Sequence, residues 1–207
     1  MRTVTWYFDF VSPYAYFSSY ALGKLGDDVD LQPRPVLFAA LLNHWGQKGP
    51  AEMPSKRVWT YRSCVWWARQ NNVPFKLPAA HPFNPLPYLR LSIAAGNSVA
   101  AIRTIFKQLW TTGVDPADPT VVSSLAQSLG VPRERIGAAD VKSSLREATE
   151  QAAQEGVFGV PTFHIDGHLF WGNDSVEFAA AYLKDPTLME APDMRRIESL
   201  PVGASRI

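Results

Sequence analysis

The sequence has very little cysteine, since Cys64 is the only one among 207 residues. A single cysteine excludes an intrachain disulfide, a metal site built from cysteines alone, and any reaction that cycles two thiols within the chain. Cys64 lies in an aromatic helical stretch without the electropositive surroundings of a reactive thiol, so we expect a small buried hydrophobic side chain. His44, His164 and His168 have no partner at metal-ligand spacing, and we expect no metal.

The chain also lacks long apolar runs and an excess of charge. The longest apolar stretch, residues 36–42, is far shorter than the roughly 18 residues that a membrane span needs. Residues 1–10 are typical of a strand rather than of a signal peptide. Twenty basic and nineteen acidic residues leave a net charge of +1, without the basic stripe of a nucleic-acid-binding protein. We therefore expect a cytoplasmic protein with neither a membrane nor a nucleic-acid partner.

Residues 1–37 predict a β-α-β unit. Apolar residues alternate over 3–10, which indicates a strand. Ser12 and Pro13 then form a typical helix start, with serine as the N-cap and proline in the first turn. A second extended segment at 31–37 contains two prolines, and these favour an edge strand.

The rest of the chain changes character twice. The middle shows helical patterns interrupted by proline and glycine, with helices predicted at 38–45, 55–70, 86–95, 99–112, 120–129 and 140–154. Asp166 and Gly167 are a hairpin signal between strands at 162–166 and 168–171, and a helix follows from Asp174. This order predicts an α/β protein, a thioredoxin-like fold interrupted by an all-helical insertion domain. The predicted units are a thioredoxin-like domain (1–37 and 157–185), a helical insertion domain (38–156) and a C-terminal tail (186–207).

Two regions of the sequence carry a family resemblance. The first is Phe-Asp-Phe-Val-Ser-Pro-Tyr-Ala-Tyr at 8–16, and the second is Gly-Val-Phe-Gly-Val-Pro-Thr-Phe at 156–163, followed by Phe-Trp-Gly-Asn-Asp at 170–174. Together they resemble the 2-hydroxychromene-2-carboxylate isomerase family, which is related to kappa-class glutathione transferases and to DsbA-type oxidoreductases. The resemblance covers roughly residues 3–183. It implies glutathione as the cofactor and a homodimer as the assembly.

Ser12 holds the position that a redox cysteine has in the related oxidoreductases, and Ala15 holds that of the second cysteine. A helix N-terminus stabilises an anion through its unpaired N–H groups and its dipole. A serine cannot form a disulfide, but it can donate a hydrogen bond to an external thiolate. Ser12 can also simply cap its helix, which uses the oxygen as acceptor and leaves the O–H as donor. The resemblance favours Ser12 as the catalytic residue that holds glutathione as a thiolate.

The resemblance implies further contacts with glutathione. A cis peptide before Pro161 would present the backbone of Val160 to a peptide-like ligand as an added strand. Asn173 and Asp174 would bind the charged end of glutathione, with the aspartate facing the γ-glutamyl ammonium, and Trp171 would line the same site. The alternatives are that Pro161 only starts a strand, that Asp174 caps the last helix, and that Trp171 belongs to the core.

The substrate side departs from the family pattern. The related isomerases carry a lysine early in the insertion, then an Asn-Arg pair, then a tyrosine, and the matching places are near Asn43, near Glu52 and at His81. None of these three residues supplies the positive charge that would meet a substrate carboxylate. Other candidates for that charge are Lys48, Lys56 and Arg57. His81 is either a polar contact to the substrate or a structural loop histidine.

The resemblance implies a glutathione-dependent cis–trans isomerase that acts on 2-hydroxychromene-2-carboxylate or a related aromatic acid. A thiolate that adds to a conjugated double bond turns it into a single bond, which rotates before the thiol leaves. One alternative is a kappa-type glutathione transferase or peroxidase that uses the same site on an electrophile. Another is a non-catalytic thioredoxin-like binding module.

Overall fold

A mixed β-sheet combines strands from both ends of the chain. The computed structural model describes residues 1–204, and in it the strands are β1 (Arg2–Phe8), β2 (Val29–Pro35), β3 (Thr162–Ile165) and β4 (His168–Trp171). The strand order is β2-β1-β3-β4, with β1 parallel to β2 and antiparallel to β3. β2 is an edge strand, as its prolines predicted, although it begins and ends two residues earlier than expected.

Helices fill the rest of the described chain. They are α1 (Pro13–Ala21), α2 (Phe38–His44), α3 (Pro54–Gln70), α4 (Leu86–Ala94), α5 (Val99–Thr111), α6 (Pro119–Ser128), α7 (Ala139–Gln154), α8 (Val176–Lys184) and α9 (Pro192–Glu198). Short 3-10 segments lie at Leu22–Leu25, Pro50–Glu52, Arg133–Gly137 and Pro186–Glu190. α2 to α7 lie between β2 and β3 in chain order, which confirms the predicted helical insertion to within one residue at each helix end.

The C-terminal third contains one confirmed turn and one correction. Asp166 and Gly167 both have positive φ, as the predicted two-residue hairpin turn requires. The last helix of the predicted β-hairpin unit does not start at Asp174: α8 begins at Val176, and Ser175 is its N-cap residue. The predicted tail at 186–207 begins with a 3-10 segment and α9, and its last residues, 205–207, lie outside the described part of the chain.

The hydrophobic core is continuous between the sheet and the insertion. The rings of Trp6 and Phe8 stack 4.6 Å apart on β1, and Phe10 packs 4.7 Å from Phe106 of α5. All four side chains are fully buried in one cluster. The core is thus shared by the predicted thioredoxin-like domain and the predicted insertion, and the boundaries between them stay a prediction. In residues 1–204, none of the helices combines the length and apolar character of a membrane span.

Candidate active site

Ser12 lies at the N-terminus of α1, four residues after the end of β1. Its backbone is extended (φ −92°, ψ 116°), and its Oγ accepts a hydrogen bond from the Ala15 N–H at 3.2 Å, which confirms the predicted helix cap. The Ser12 hydroxyl in turn donates to the carbonyl oxygen of Val160 at 3.2 Å. The O–H that we expected to be free is thus bonded to Val160, a residue 148 positions away.

The first turn of α1 keeps one backbone donor available. Pro13 has no N–H, and the Ala15 N–H is occupied by Ser12. The N–H of Tyr14 has no acceptor in residues 1–204. A helix N-terminus with an unpaired N–H attracts negative charge, so this position beside Ser12 suits a thiolate.

The segment before β3 presents backbone groups next to Ser12. The Val160–Pro161 peptide is cis, as the resemblance implied. Val160 donates no backbone hydrogen bond within the described chain, and its carbonyl oxygen accepts only from Ser12. Pro161 directly precedes β3, so it also stands at a strand start. Val160 therefore has both an N–H and a C=O with which an extended peptide could pair.

Trp171 covers the loop that leads to this cis peptide. Its side chain is 55% exposed, so the alternative that it is a core residue is wrong. The indole lies against Gly159, where an added Cβ would be 2.5 Å from the indole nitrogen. Phe158 packs edge-on to the same indole at 5.1 Å. Trp171 thus packs on the loop directly before Val160.

Asp174 is not a helix cap, which corrects the alternative role considered for it. α8 begins two residues later, and the Ser175 hydroxyl donates to the Gly172 carbonyl at 2.8 Å. The Asp174 carboxylate is exposed, and neither its side chain nor that of Asn173 forms a hydrogen bond within residues 1–204. Burial raises the pKa of the Tyr14 phenol, and the charge of Asp174 adds to this effect. The charge of Asp174 therefore acts on Tyr14, two residues after Ser12.

Asp9 supports the turn before Ser12, and the sequence analysis did not single it out. It is completely buried at the end of β1, and its carboxylate accepts from the backbone N–H groups of Val11 (3.0 Å) and Phe38 (2.9 Å). Burial raises the pKa of its carboxyl to about 7, although these hydrogen bonds oppose the rise. The available signal was a single acidic residue within an otherwise apolar strand pattern.

The insertion reaches the same turn through two side chains. The indole N–H of Trp110 on α5 donates to the Phe10 carbonyl at 3.0 Å. One ring nitrogen of His81 lies 2.7 Å from the Val11 carbonyl oxygen, and the other lies 2.7 Å from the Tyr61 hydroxyl. The structure therefore places His81 against the Ser12 turn with both ring nitrogens bonded to protein groups.

The other two predicted substrate contacts lie on the α2 and α3 side. Asn43 is exposed in the last turn of α2. The Glu52 carboxylate accepts from the Gly49 N–H at 2.6 Å. In the described part of the chain neither side chain forms a hydrogen bond with Ser12, so both contacts stay predictions.

The three candidate cations for the substrate carboxylate have no ion-pair partner within residues 1–204. Lys48, Lys56 and Arg57 form no ion pair with the described residues. Arg57 precedes Tyr61 by one helical turn on α3, so the two side chains share a helix face. Its charge helps to lower the pKa of His81, for which burial is the larger cause. Arg57 is therefore the candidate cation whose charge acts on His81.

Cys64 lies on α3. Its side chain is fully buried, as predicted, and burial raises the pKa of the thiol to about 12. Across residues 1–204, no group of three or more histidine, cysteine or acidic side chains is placed to hold a metal ion.

Comparison with known proteins shows the family to which this fold belongs. A family model for the DsbA-like thioredoxin domain matches residues 3–184. The chain belongs to this family. The predicted thioredoxin-like fold with its helical insertion is thereby confirmed.

Several relatives and solved structures of the family cover nearly the whole chain. A 2-hydroxychromene-2-carboxylate isomerase of Sphingobium xenophagum is 28% identical over 89% of this chain and 99% of its own length. Glutathione S-transferase kappa 1 of Homo sapiens is 24% identical over 92% of this chain and 95% of its own length. A solved 2-hydroxychromene-2-carboxylate isomerase superposes with a TM-score of 0.75 at 22% identity, covering 93% of this chain and 98% of that one.

Proposed function

We propose that the protein is a glutathione-dependent cis–trans isomerase that acts on 2-hydroxychromene-2-carboxylate or a related aromatic acid. The observation that carries the proposal is the Ser12 hydroxyl, which lies between the available N-terminus of α1 and the backbone of Val160. Relatives named as 2-hydroxychromene-2-carboxylate isomerases and as kappa glutathione transferases support the same assignment. The homodimer and the cytoplasmic location remain part of the proposal.

The residues of the site fit a peptide-like thiol. Glutathione would supply the thiol whose addition to a conjugated double bond permits rotation. The Ser12 O–H would turn from the Val160 carbonyl toward the sulfur, and the Tyr14 N–H would add a second donor at the positive end of the helix dipole. The Val160 carbonyl would then accept a backbone N–H of the ligand instead. This exchange leaves no buried polar group without a partner.

The outer part of the site fits the charged end of glutathione. Asp174 offers an exposed carboxylate with no hydrogen-bond partner in residues 1–204, which suits an ammonium group. Trp171 lies between Val160 and Asp174 in the sequence. Its indole is exposed, offers an apolar face and packs against Gly159. The substrate carboxylate would meet Arg57, whose side chain has no ion pair among the described residues.

Replacing Ser12 with alanine tests the thiolate role, and the chain offers a matched control. Ser98 caps α5 in the same manner, with its Oγ accepting from the Ala101 N–H at 3.2 Å. Each Ser→Ala change should cost about 1 kcal/mol of stability through the lost cap. Only Ser12→Ala should lower kcat/KM with saturating glutathione, by about 100-fold or more, because it removes a donor to the developing negative charge.

The assay would use 2-hydroxychromene-2-carboxylate as substrate and would record the ultraviolet absorbance of bound thiolate against pH. Ser12→Ala should raise the pKa of the bound glutathione thiol, whereas Ser98→Ala should leave it unchanged. An isomerase activity of Ser12→Ala within a few-fold of the wild type would rule out the thiolate role.

A kappa-type glutathione transferase or peroxidase is the second candidate, favoured by the human kappa 1 relative. Such an enzyme would convert a chloroaromatic electrophile or a peroxide faster than the chromene carboxylate. A non-catalytic binding module would instead show no heat of binding when wild-type protein is titrated with glutathione alone.

A further inference from the structure

We propose that His81 is a positioning residue for Ser12, and that the helical insertion uses it to fix the Val11–Ser12 peptide. The proposal rests on the proposed function, because it assigns how the catalytic hydroxyl of that function is held. It replaces the expectation that His81 contacts the substrate. The carrying observation is that both ring nitrogens of His81 are bonded to protein groups, one of them the carbonyl directly before Ser12.

The hydrogen bonds define the tautomer of His81. A carbonyl oxygen can only accept, so Nε2 carries the hydrogen and donates to Val11 at 2.7 Å. Nδ1 of the neutral ring then accepts from the Tyr61 hydroxyl at 2.7 Å, and this hydroxyl shares its single hydrogen with the His81 carbonyl oxygen 3.0 Å away. Burial lowers the pKa of His81, and the charge of Arg57 lowers it further, although the bond to Val11 opposes both. The neutral ring has no polar atom left for a substrate.

Packing also fixes the orientation of the ring. His81 lies 5.4 Å from the Trp110 ring and 5.4 Å edge-on from the Tyr61 ring, measured between centroids. The Tyr61 hydroxyl additionally lies 3.0 Å from the carbonyl oxygen of His81 itself. A ring held at both nitrogens and on its faces cannot swing out to follow a ligand. Its donor is therefore directed permanently at Val11.

Apart from His81, the hydrogen bonds that hold the Val11–Ser12 peptide in residues 1–204 involve N–H groups and not the Val11 carbonyl. The Ser12 N–H donates to the Asp9 carbonyl at 3.1 Å, and the Val11 N–H donates to the Asp9 carboxylate. The Val11 carbonyl accepts from His81 alone among the described residues. Loss of that bond leaves the Val11–Ser12 peptide plane held on one side only. The Ser12 hydroxyl would then sample other directions, and a displacement of about 1 Å at a reacting group can cost about 100-fold in rate.

Two substitutions of His81 distinguish a role in positioning Ser12 from a role in contacting the substrate. His81→Leu removes the donor to Val11, whereas His81→Gln keeps an amide N–H that can reach the same carbonyl. His81→Leu should lower kcat by about 10-fold to 100-fold and raise the pKa of the bound glutathione thiol, with KM for the aromatic acid changed less than about threefold. His81→Gln should recover most of kcat. A rise in KM with kcat and the thiol pKa unchanged would identify a substrate contact and overturn the proposal.

Amide hydrogen exchange tests the same idea without glutathione or substrate. The Ala15 N–H is protected by the Ser12 oxygen, and the Ala101 N–H is protected by Ser98 in the same geometry, so Ala101 serves as an internal control. In His81→Leu, exchange at Ala15 should accelerate about tenfold relative to Ala101, and His81→Gln should restore protection. Equal exchange at Ala15 in all three proteins would overturn the proposal. A wild type that bound no glutathione would end the proposed function, while exchange at Ala15 would still decide the role of His81.

Discussion

At the scale of single residues, the turn before Ser12 is held by the carboxylate of Asp9, which is buried away from water. Asp9 is fully buried, yet both of its oxygens accept from backbone N–H groups, one from Val11 and one from Phe38 at the start of α2. These bonds satisfy the carboxylate without neutralising it. Because burial outweighs them, the carboxyl pKa rises to about 7 from an ordinary value of 3.8.

The raised pKa of Asp9 predicts how stability depends on pH. Between 3.8 and about 7 the folded chain holds a proton that the unfolded chain has lost, so the free energy of unfolding should fall as pH rises through this window and level off above it. The fall contributed by this buried group is on the order of 4 kcal/mol. Asp9→Asn cannot ionise and should lack this contribution.

Urea unfolding of wild type and Asp9→Asn at several pH values would measure the difference between their curves. The test compares how stability changes with pH and not the absolute stabilities. The asparagine side chain has one acceptor oxygen, so it can bond only one of the two backbone N–H groups, and the variant is expected to be less stable for that reason as well. Curves that stay parallel from about pH 4 to about pH 8 would contradict the buried ionisation.

At the scale of the element, local patterns in the sequence predicted the starts and turns that depend on neighbouring residues. Ser12 before Pro13 marked the beginning of α1, and Asp166-Gly167 marked the hairpin, because both signals act over a few residues. The predicted start of α8 at Asp174 was wrong because Asp174 and Ser175 are both residue types that commonly cap helices. The turn that bonds the Ser175 N–H to the Gly172 carbonyl decides between them.

Contacts between distant elements could not be predicted from these patterns. The bond from Ser12 to Val160 spans 148 positions, that from Trp110 to Phe10 spans 100, and that from His81 to Val11 spans 70. None of these pairs produces a periodic pattern in the sequence. A family resemblance indicates which residues belong to a site, but it does not indicate which residues they bond to. The family resemblance therefore indicated Ser12 and Val160 as candidate site residues, while the hydrogen bonds of Asp9 and His81 to the turn before Ser12 are visible only in the structure.

Packing in the loop before β3 predicts the effect of a substitution at Gly159. A methyl group at Gly159 would meet the Trp171 indole, so Gly159→Ala should push the exposed indole aside. Because an exposed ring can move, the stability should fall by only about 1 kcal/mol, but glutathione should bind several-fold more weakly if Trp171 lines its site. Gly23→Ala is the control, since nothing lies within 4 Å of its added Cβ.

Titration calorimetry of the two glycine variants with glutathione would give the affinities. Equal binding by Gly159→Ala and Gly23→Ala would remove Trp171 from the proposed glutathione site, while leaving the Ser12 prediction untouched.

At the scale of the whole molecule, the insertion supports the sheet instead of standing apart from it. The ring centroid of Phe106 on α5 lies within 6.5 Å of the ring centroids of Trp6 and Phe8 on β1 and of Phe10 just after it. The same helix bears Trp110, which bonds the Phe10 carbonyl. The strand that ends four residues before Ser12 is therefore packed on the insertion, and any loosening of that contact also loosens the turn.

This shared core predicts that the protein unfolds in one transition. Phe106→Ala should cost about 3–5 kcal/mol, because it opens a cavity among rings from both parts of the chain. Phe178→Ala, at a ring that is 40% exposed on α8, should cost clearly less. Tryptophan fluorescence and far-ultraviolet circular dichroism should give the same urea midpoint for each protein, shifted together in Phe106→Ala. Two separated midpoints would mean that the insertion folds independently, and Ser12 would then have to be held by the sheet alone.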